Sequence, residues 1–123
     1  MRFGTFIPQG WKMELAGVPV RDQWERITST AALIEESGYD SLWVYDHFHT
    51  HPVVSQESTF EAWTLMAALA NVTSRVRLGQ MCTCVGYRSP ALLTKMASWI
   101  DVMANGRLDV GIGAGWSEGE FRG

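Results

Sequence analysis

Four β-prone runs alternate with three helical patterns along the chain, and this alternation limits the fold more than any other feature. The runs are 2–7, 41–45, 75–85 and 107–113, with helical patterns over 22–37, 58–71 and 90–103. A strand that returns parallel to its predecessor needs a crossover, and such crossovers are right-handed. The order β-α-β-α-β-α-β predicts an α/β fold with a parallel sheet, either doubly wound or part of a (β/α)8 TIM barrel. A whole barrel takes ~250 residues. Four parallel strands and three helices in 123 residues make half of one.

Local signals set the expected boundaries. Asp22 and Glu25 have capping-box spacing, and Trp24, Ile27, Ala31 and Ile34 form one apolar stripe that ends at Gly38. Ser58 and Glu61 repeat the spacing ahead of Ala62, Leu65, Met66 and Leu69. Ser89-Pro90 reads as an N-cap followed by an N1 proline. The third helix then buries Leu93, Met96, Ala97 and Ile100, and Asn105-Gly106 stops it. The loop over residues 8–20 is long, and loops of that length often carry function.

Composition narrows the function. Ten basic and 13 acidic residues give a net charge of −3 without a basic block, so nucleic-acid binding has no electrostatic support. No apolar run reaches the ~18 residues of a membrane span, and residues 1–6 are too glycine-broken for a signal-peptide core. Two cysteines, Cys82 and Cys84, stand too close together to staple a fold, which points to a reducing, cytoplasmic setting. The reading predicts packing of both on one strand face as small residues, with a redox or soft-metal pair as the other possibility.

The chemistry concentrates at Ser41–His51. An apolar strand runs into Asp46, His47, His49 and His51, as at the C-terminal edge of a parallel sheet that carries a site. If the strand continues, Asp46 and His47 project to opposite faces. The histidines admit three readings: a metal pair such as His47 with His49 in a hydrolase barrel, one acid/base histidine, or loop residues without chemistry. His47 is the best acid/base candidate because it lies nearest the strand end. Arg88 precedes a helix start that could attract an anion, or is a solvated arginine. Glu118 and Glu120 are either acids behind the site or a solvated turn. Trp11, Trp43 and Trp116 lie near strand ends, placed for ring stacking or for core filling. Gly111-Ile112-Gly113-Ala114-Gly115 is not a dinucleotide fingerprint. Its third glycine would fall at Trp116, and the motif belongs to a first strand.

Taken together, several segments resemble the bacterial luciferase-like flavin and deazaflavin oxidoreductases, in their usual order. They are Gly38-Tyr39-Asp40-Ser41-Leu42-Trp43-Val44, Asp46-His47-Phe48, Arg77-Leu78-Gly79, Tyr87-Arg88-Ser89-Pro90-Ala91-Leu92-Leu93, and Gly106 through Trp116. The wording is most similar to the branch that uses coenzyme F420. The resemblance implies the N-terminal half of a luciferase-like TIM barrel, with the cofactor at the C-terminal strand ends. It implies that Asp46 contacts the cofactor and that His47 moves a proton during hydride transfer between a small organic substrate and coenzyme F420. It also places a bulge with a non-proline cis peptide at Met81-Cys82. The implied cofactor contacts are thus Asp46, Met81, Cys82, Thr83, Cys84 and Gly113, with no metal. Trp116 stands where a sugar-phosphate dehydrogenase branch has a glutamate base, which argues against that substrate.

The alternative within the family is an FMN-dependent monooxygenase. The full-length form is expected to be a homodimer. Residues 1–123 are expected to be one incomplete barrel domain, truncated after strand 4. Open sheet edges predict that the isolated chain is poorly soluble or self-associates to cover them, and its activity without the remaining strands is left open.

Overall fold

The computed structural model describes residues 1–122. The elements follow the order β1 (Gly4–Phe6), α1 (Val20–Glu36), β2 (Ser41–Val44), α2 (Ala62–Val72), β3 (Arg77–Cys84), α3 (Pro90–Met103), β4 (Leu108–Gly113) and α4 (Glu118–Arg122). The short α4 lies beyond the predicted elements.

All four strands are parallel and lie in the order β1-β2-β3-β4. A doubly wound sheet reverses its order at a switch point. Among the described strands there is no reversal. Right-handed crossovers then carry the helices to one face of the sheet and leave the other as a barrel interior. The strand order settles the choice that composition left open.

The core lies between sheet and helices. Leu42 and Val44 of β2 and Leu78 of β3 are fully buried, and they cluster with Ile27, Ala31 and Ile34 of α1 and Leu65, Met66 and Leu69 of α2. Truncating such a leucine to alanine costs about 2–5 kcal/mol, because a cavity remains where its contacts were. On β4 the helix-facing side is left uncovered. Leu108 packs against the core, while Val110 and Ile112 on the same face are exposed.

Trp43 occupies the interior face rather than the strand ends. A Cβ on Gly4 would fall 2.5 Å from its Nε1, and one on Gly79 would fall 2.2 Å from a ring carbon. Two glycines on the flanking strands therefore make room for one indole, whose N–H donates to Ser41 Oγ at 2.9 Å. Trp43 is a filler of the barrel, not a stacking platform at the site.

Two helix starts differ from the predicted ones. α1 begins at Val20 after Pro19, with no side-chain cap, so Asp22 lies within the first turn. Its buried stripe is Gln23, Ile27, Ala31 and Ile34. Gln23 takes the place expected of Trp24 because its amide donates to Val18 O (3.0 Å), and Trp24 is left exposed. The N-cap of α2 falls three residues later than predicted. Glu61 is itself the N-cap and accepts from Trp63 N (3.1 Å) and Thr64 N (2.7 Å). The Ser89-Pro90 start of α3 is as predicted. Among the described residues no helix is long and apolar enough to cross a membrane.

Candidate active site at the strand ends

The period-two alternation of β2 persists beyond its last paired residue. Leu42, Val44 and Asp46 are buried on one side, whereas Ser41, Trp43, Tyr45 and His47 are partly accessible on the other. Asp46 and His47 thus project to opposite faces and acquire different roles.

Asp46 is an anchor. Its side chain is 0% exposed. Arg88 grips both oxygens, Nη1 to Oδ2 at 2.7 Å and Nη2 to Oδ1 at 2.8 Å, and Cys84 N donates to Oδ2 at 2.8 Å. Arg88 Nη2 also bonds the Glu61 carboxylate. Burial works against the charged form of Glu61, but the Thr64 and Trp63 amides, the Thr64 hydroxyl and Arg88 hold its carboxyl below the usual range. Burial likewise works against the Arg88 cation, and the two carboxylates more than restore it. This ion triad ties the end of β2 to the N-terminus of α2 and to the loop before α3. The resemblance implied direct cofactor contact for Asp46. Asp46 does border the cleft, but its carboxylate is enclosed and fully engaged. Arg88 is neither solvated nor free to take an anion.

His47 faces the cleft. Its Nδ1 lies 2.8 Å from Glu120 Oε2 on α4. Glu120 is 7% exposed and also accepts from Phe48 N (2.6 Å), His49 N (3.2 Å) and the Tyr87 hydroxyl (2.8 Å). Burial alone would raise the Glu120 pKa. The bonds from His47, Phe48, Tyr87 and His49 outweigh that penalty and hold it down at about 2. The Tyr87 hydroxyl is pushed the other way, first by burial and then by the Glu120 charge beside it, so it stays a donor. The Trp11 ring stacks on the imidazole at 4.2 Å and 8°, and Trp116 meets it edge-on at 5.8 Å. The His51 ring packs against the same two indoles, at 5.5 Å from Trp11 and 5.8 Å from Trp116. His51 therefore belongs to the aromatic surround of His47, not to a plain loop. Among the described residues no three His, Cys, Asp or Glu side chains converge as metal ligands.

The floor of the cleft comes from β3 and β4. Gln80 pairs with Val110 and Thr83 with Ile112, so β3 has one extra residue between those pairs. The Met81-Cys82 peptide within this bulge is cis. The bulge breaks the alternation: Met81 and Cys82 are both exposed, and Thr83 and Cys84 are both buried. This corrects the reading of the two cysteines as one packed pair, since the extra residue puts them out of phase. β4 can approach the bulge because it carries glycine there. A Cβ on Gly111 would fall 2.3 Å from Gln80 O.

Met81, Cys82, Cys84 and Gly113 line a cleft of about 370 Å³ with His47, Trp11, Tyr45, Tyr87 and Trp116. Thr83 does not. It is fully buried, accepts from Trp63 Nε1 at 2.8 Å and donates to Gln80 Oε1 at 3.2 Å, which ties β3 to α2. A side-chain-free position at Gly113, aromatic walls and an imidazole nitrogen without a partner among the described residues fit a planar ring. The volume falls within the ~300–1,000 Å³ usual for small-ligand sites.

The sequence offered Glu120 as an acid behind the site without its partner, and the Asp46–Arg88–Glu61 triad and the place of His51 escaped it altogether. Their partners lie 73 residues apart for His47–Glu120 and 42 for Asp46–Arg88, beyond any local pattern. The one available signal was a pair of acids just past a strand end, Glu118 and Glu120. Only Glu120 turns inward, and Glu118 pairs with Arg122 on the surface.

Known proteins share this fold. The pyrimidine monooxygenase RutA of a Bradyrhizobium species is 30% identical over 98% of this chain and 35% of its own length. An F420-dependent secondary alcohol dehydrogenase, solved with an F420–acetone adduct, superposes with a TM-score of 0.70. It is 28% identical over 93% of this chain and 32% of that one. The oxygenating constituent of 3,6-diketocamphane monooxygenase from Pseudomonas putida, solved with FMN, shares the fold with a TM-score of 0.75. That match has 23% identity and covers 95% of this chain and 30% of the other. The chain spans about a third of the length of the curated relatives it matches. The fold is part of a luciferase-like TIM barrel. The model of the luciferase-like monooxygenase family matches residues 1–123, and the chain belongs to that family.

Proposed function

We propose that this chain forms the cofactor-facing wall of an oxidoreductase that binds coenzyme F420 and acts on a small organic substrate. The observation that carries the reading is the clasped His47, whose Nε2 is without a partner among the described residues at an apolar, aromatic-walled cleft above the Met81-Cys82 bulge. A bound deazaflavin supplies two-electron hydride chemistry. His47 would take or give the accompanying proton through Nε2, the nitrogen that faces the cleft. Met81, Cys82 and Gly113, which line the cleft, would hold the ring. Trp11 and Trp116 keep water from the imidazole and hold its plane. Asp46 keeps the end of β2 in place through Arg88. The preference for F420 is supported by the wording of Asp46-His47-Phe48 and Gly106–Trp116, and by the F420-dependent neighbour.

FMN is the second reading, favoured by the FMN-bound neighbour of the same fold. The test is titration of the protein with coenzyme F420, followed by its fluorescence, and separately with FMN. Saturable F420 binding stronger than FMN binding is expected. Tight FMN binding without F420 binding reverses the order, and binding of neither overturns the proposal.

A further inference from the structure

The Glu120 carboxylate divides its bonds between its oxygens in a way that fixes the proton on His47. Oε1 accepts the backbone N–H groups of Phe48 and His49. Oε2 meets His47 Nδ1 and the Tyr87 hydroxyl. An ionised carboxylate has no hydrogen to give, so Nδ1 must be the donor whether the ring is neutral or charged. Nε2 has no partner among the described residues. We propose that Glu120 is a positioning residue that holds neutral His47 as its Nδ1–H tautomer and so makes Nε2 the atom that exchanges the proton. The stacked Trp11 and the edge of Trp116 oppose a ring flip that would swap the two nitrogens. The catalytic consequence rests on the acid/base reading of His47 given above, while the tautomer itself does not.

The isosteric Glu120→Gln variant tests this with a definite sign. Phe48 N and His49 N can only donate, so the new amide oxygen must stay opposite them. The amide NH2 then takes the place of Oε2 and donates to Nδ1. An Nδ1 that accepts leaves the neutral ring with its hydrogen on Nε2, the wrong tautomer for a base facing the cleft.

Long-range proton–nitrogen correlation on the nitrogen-15-labelled chain reads the tautomer directly, at a pH where the ring is neutral and without cofactor. The expected result is Nδ1–H in the wild type and Nε2–H in Glu120→Gln. Tyr87→Phe, which removes a donor but leaves the carboxylate, is expected to remain Nδ1–H. An Nε2–H wild type overturns the proposal, as does an unchanged tautomer in Glu120→Gln. If Glu120→Gln does not fold, the wild-type and Tyr87→Phe spectra still decide. Absence of F420 binding would sink the proposed function without moving this readout. In turnover, Glu120→Gln is expected to lower kcat on the order of 10²-fold with KM little changed; a rise in KM alone would refute a positioning role.

Discussion

The acid sensitivity of the fold can be worked out from Glu120. Its carboxyl is held at about 2 against an ordinary 4.5, so between those values the unfolded chain binds a proton that the folded chain refuses. The stabilisation is fully present above the unfolded value and is lost as pH falls through the folded one. At ~1.36 kcal/mol per pH unit, the gap corresponds to about 3 kcal/mol. That is a large share of the ~5–15 kcal/mol by which a domain is stable. Glu120→Gln has nothing to titrate at this position. The stability advantage of the wild type over the variant should therefore shrink by about 3 kcal/mol between about pH 6 and about pH 2. Urea unfolding followed by tryptophan fluorescence at stepped pH measures both proteins, and the difference removes the contribution of every other carboxyl. Parallel pH curves for the two would refute the claim that the His47, Tyr87, Phe48 and His49 bonds hold this carboxylate ionised.

Three further substitutions probe the frame around the site. Arg88→Met strands the fully enclosed Asp46 carboxylate and should cost about 3–5 kcal/mol in urea unfolding; a loss below about 1 kcal/mol would show the triad to be dispensable. Gly79→Ala drives a Cβ into the Trp43 ring and should cost about 1–3 kcal/mol with a change in tryptophan emission, whereas unchanged stability would mean that the barrel interior has slack. Trp63→Phe removes the indole N–H from the buried Thr83 hydroxyl and should cost about 1–3 kcal/mol; a neutral result in thermal unfolding would count against that link between β3 and α2.

What could be read from the sequence was local or periodic. Ser89-Pro90 marked the start of α3 because cap and proline act within one turn. The same logic misplaced α1 and α2: capping-box spacing recurs by chance, and there α1 starts after Pro19 with no side-chain cap while Glu61 caps α2. The α1 stripe was found with Trp24 in the place of Gln23, because the Val18 carbonyl that satisfies Gln23 cannot be seen in a pattern. At the site, alternation along β2 was enough to separate Asp46 from His47. What each side chain faces depends on Arg88 and Glu120, which arrive from other elements. The bulge at Met81-Cys82 came from resemblance, since nothing in the local residue types announces an extra residue in a strand.

The distance along the chain between His47 and Glu120 has a consequence during synthesis. The 73 residues from Phe48 to Glu120 take roughly 4–15 s to be added at ~5–20 residues per second. β2 can pair with β1, and then with β3, long before α4 exists. For that interval the nascent wall carries a histidine whose hydrogen has no assigned nitrogen. The Glu120 contact to His47 is thus made after the sheet, when the final described turn docks, so a chain released early would carry the barrel strands without the clasp that the proposed base requires.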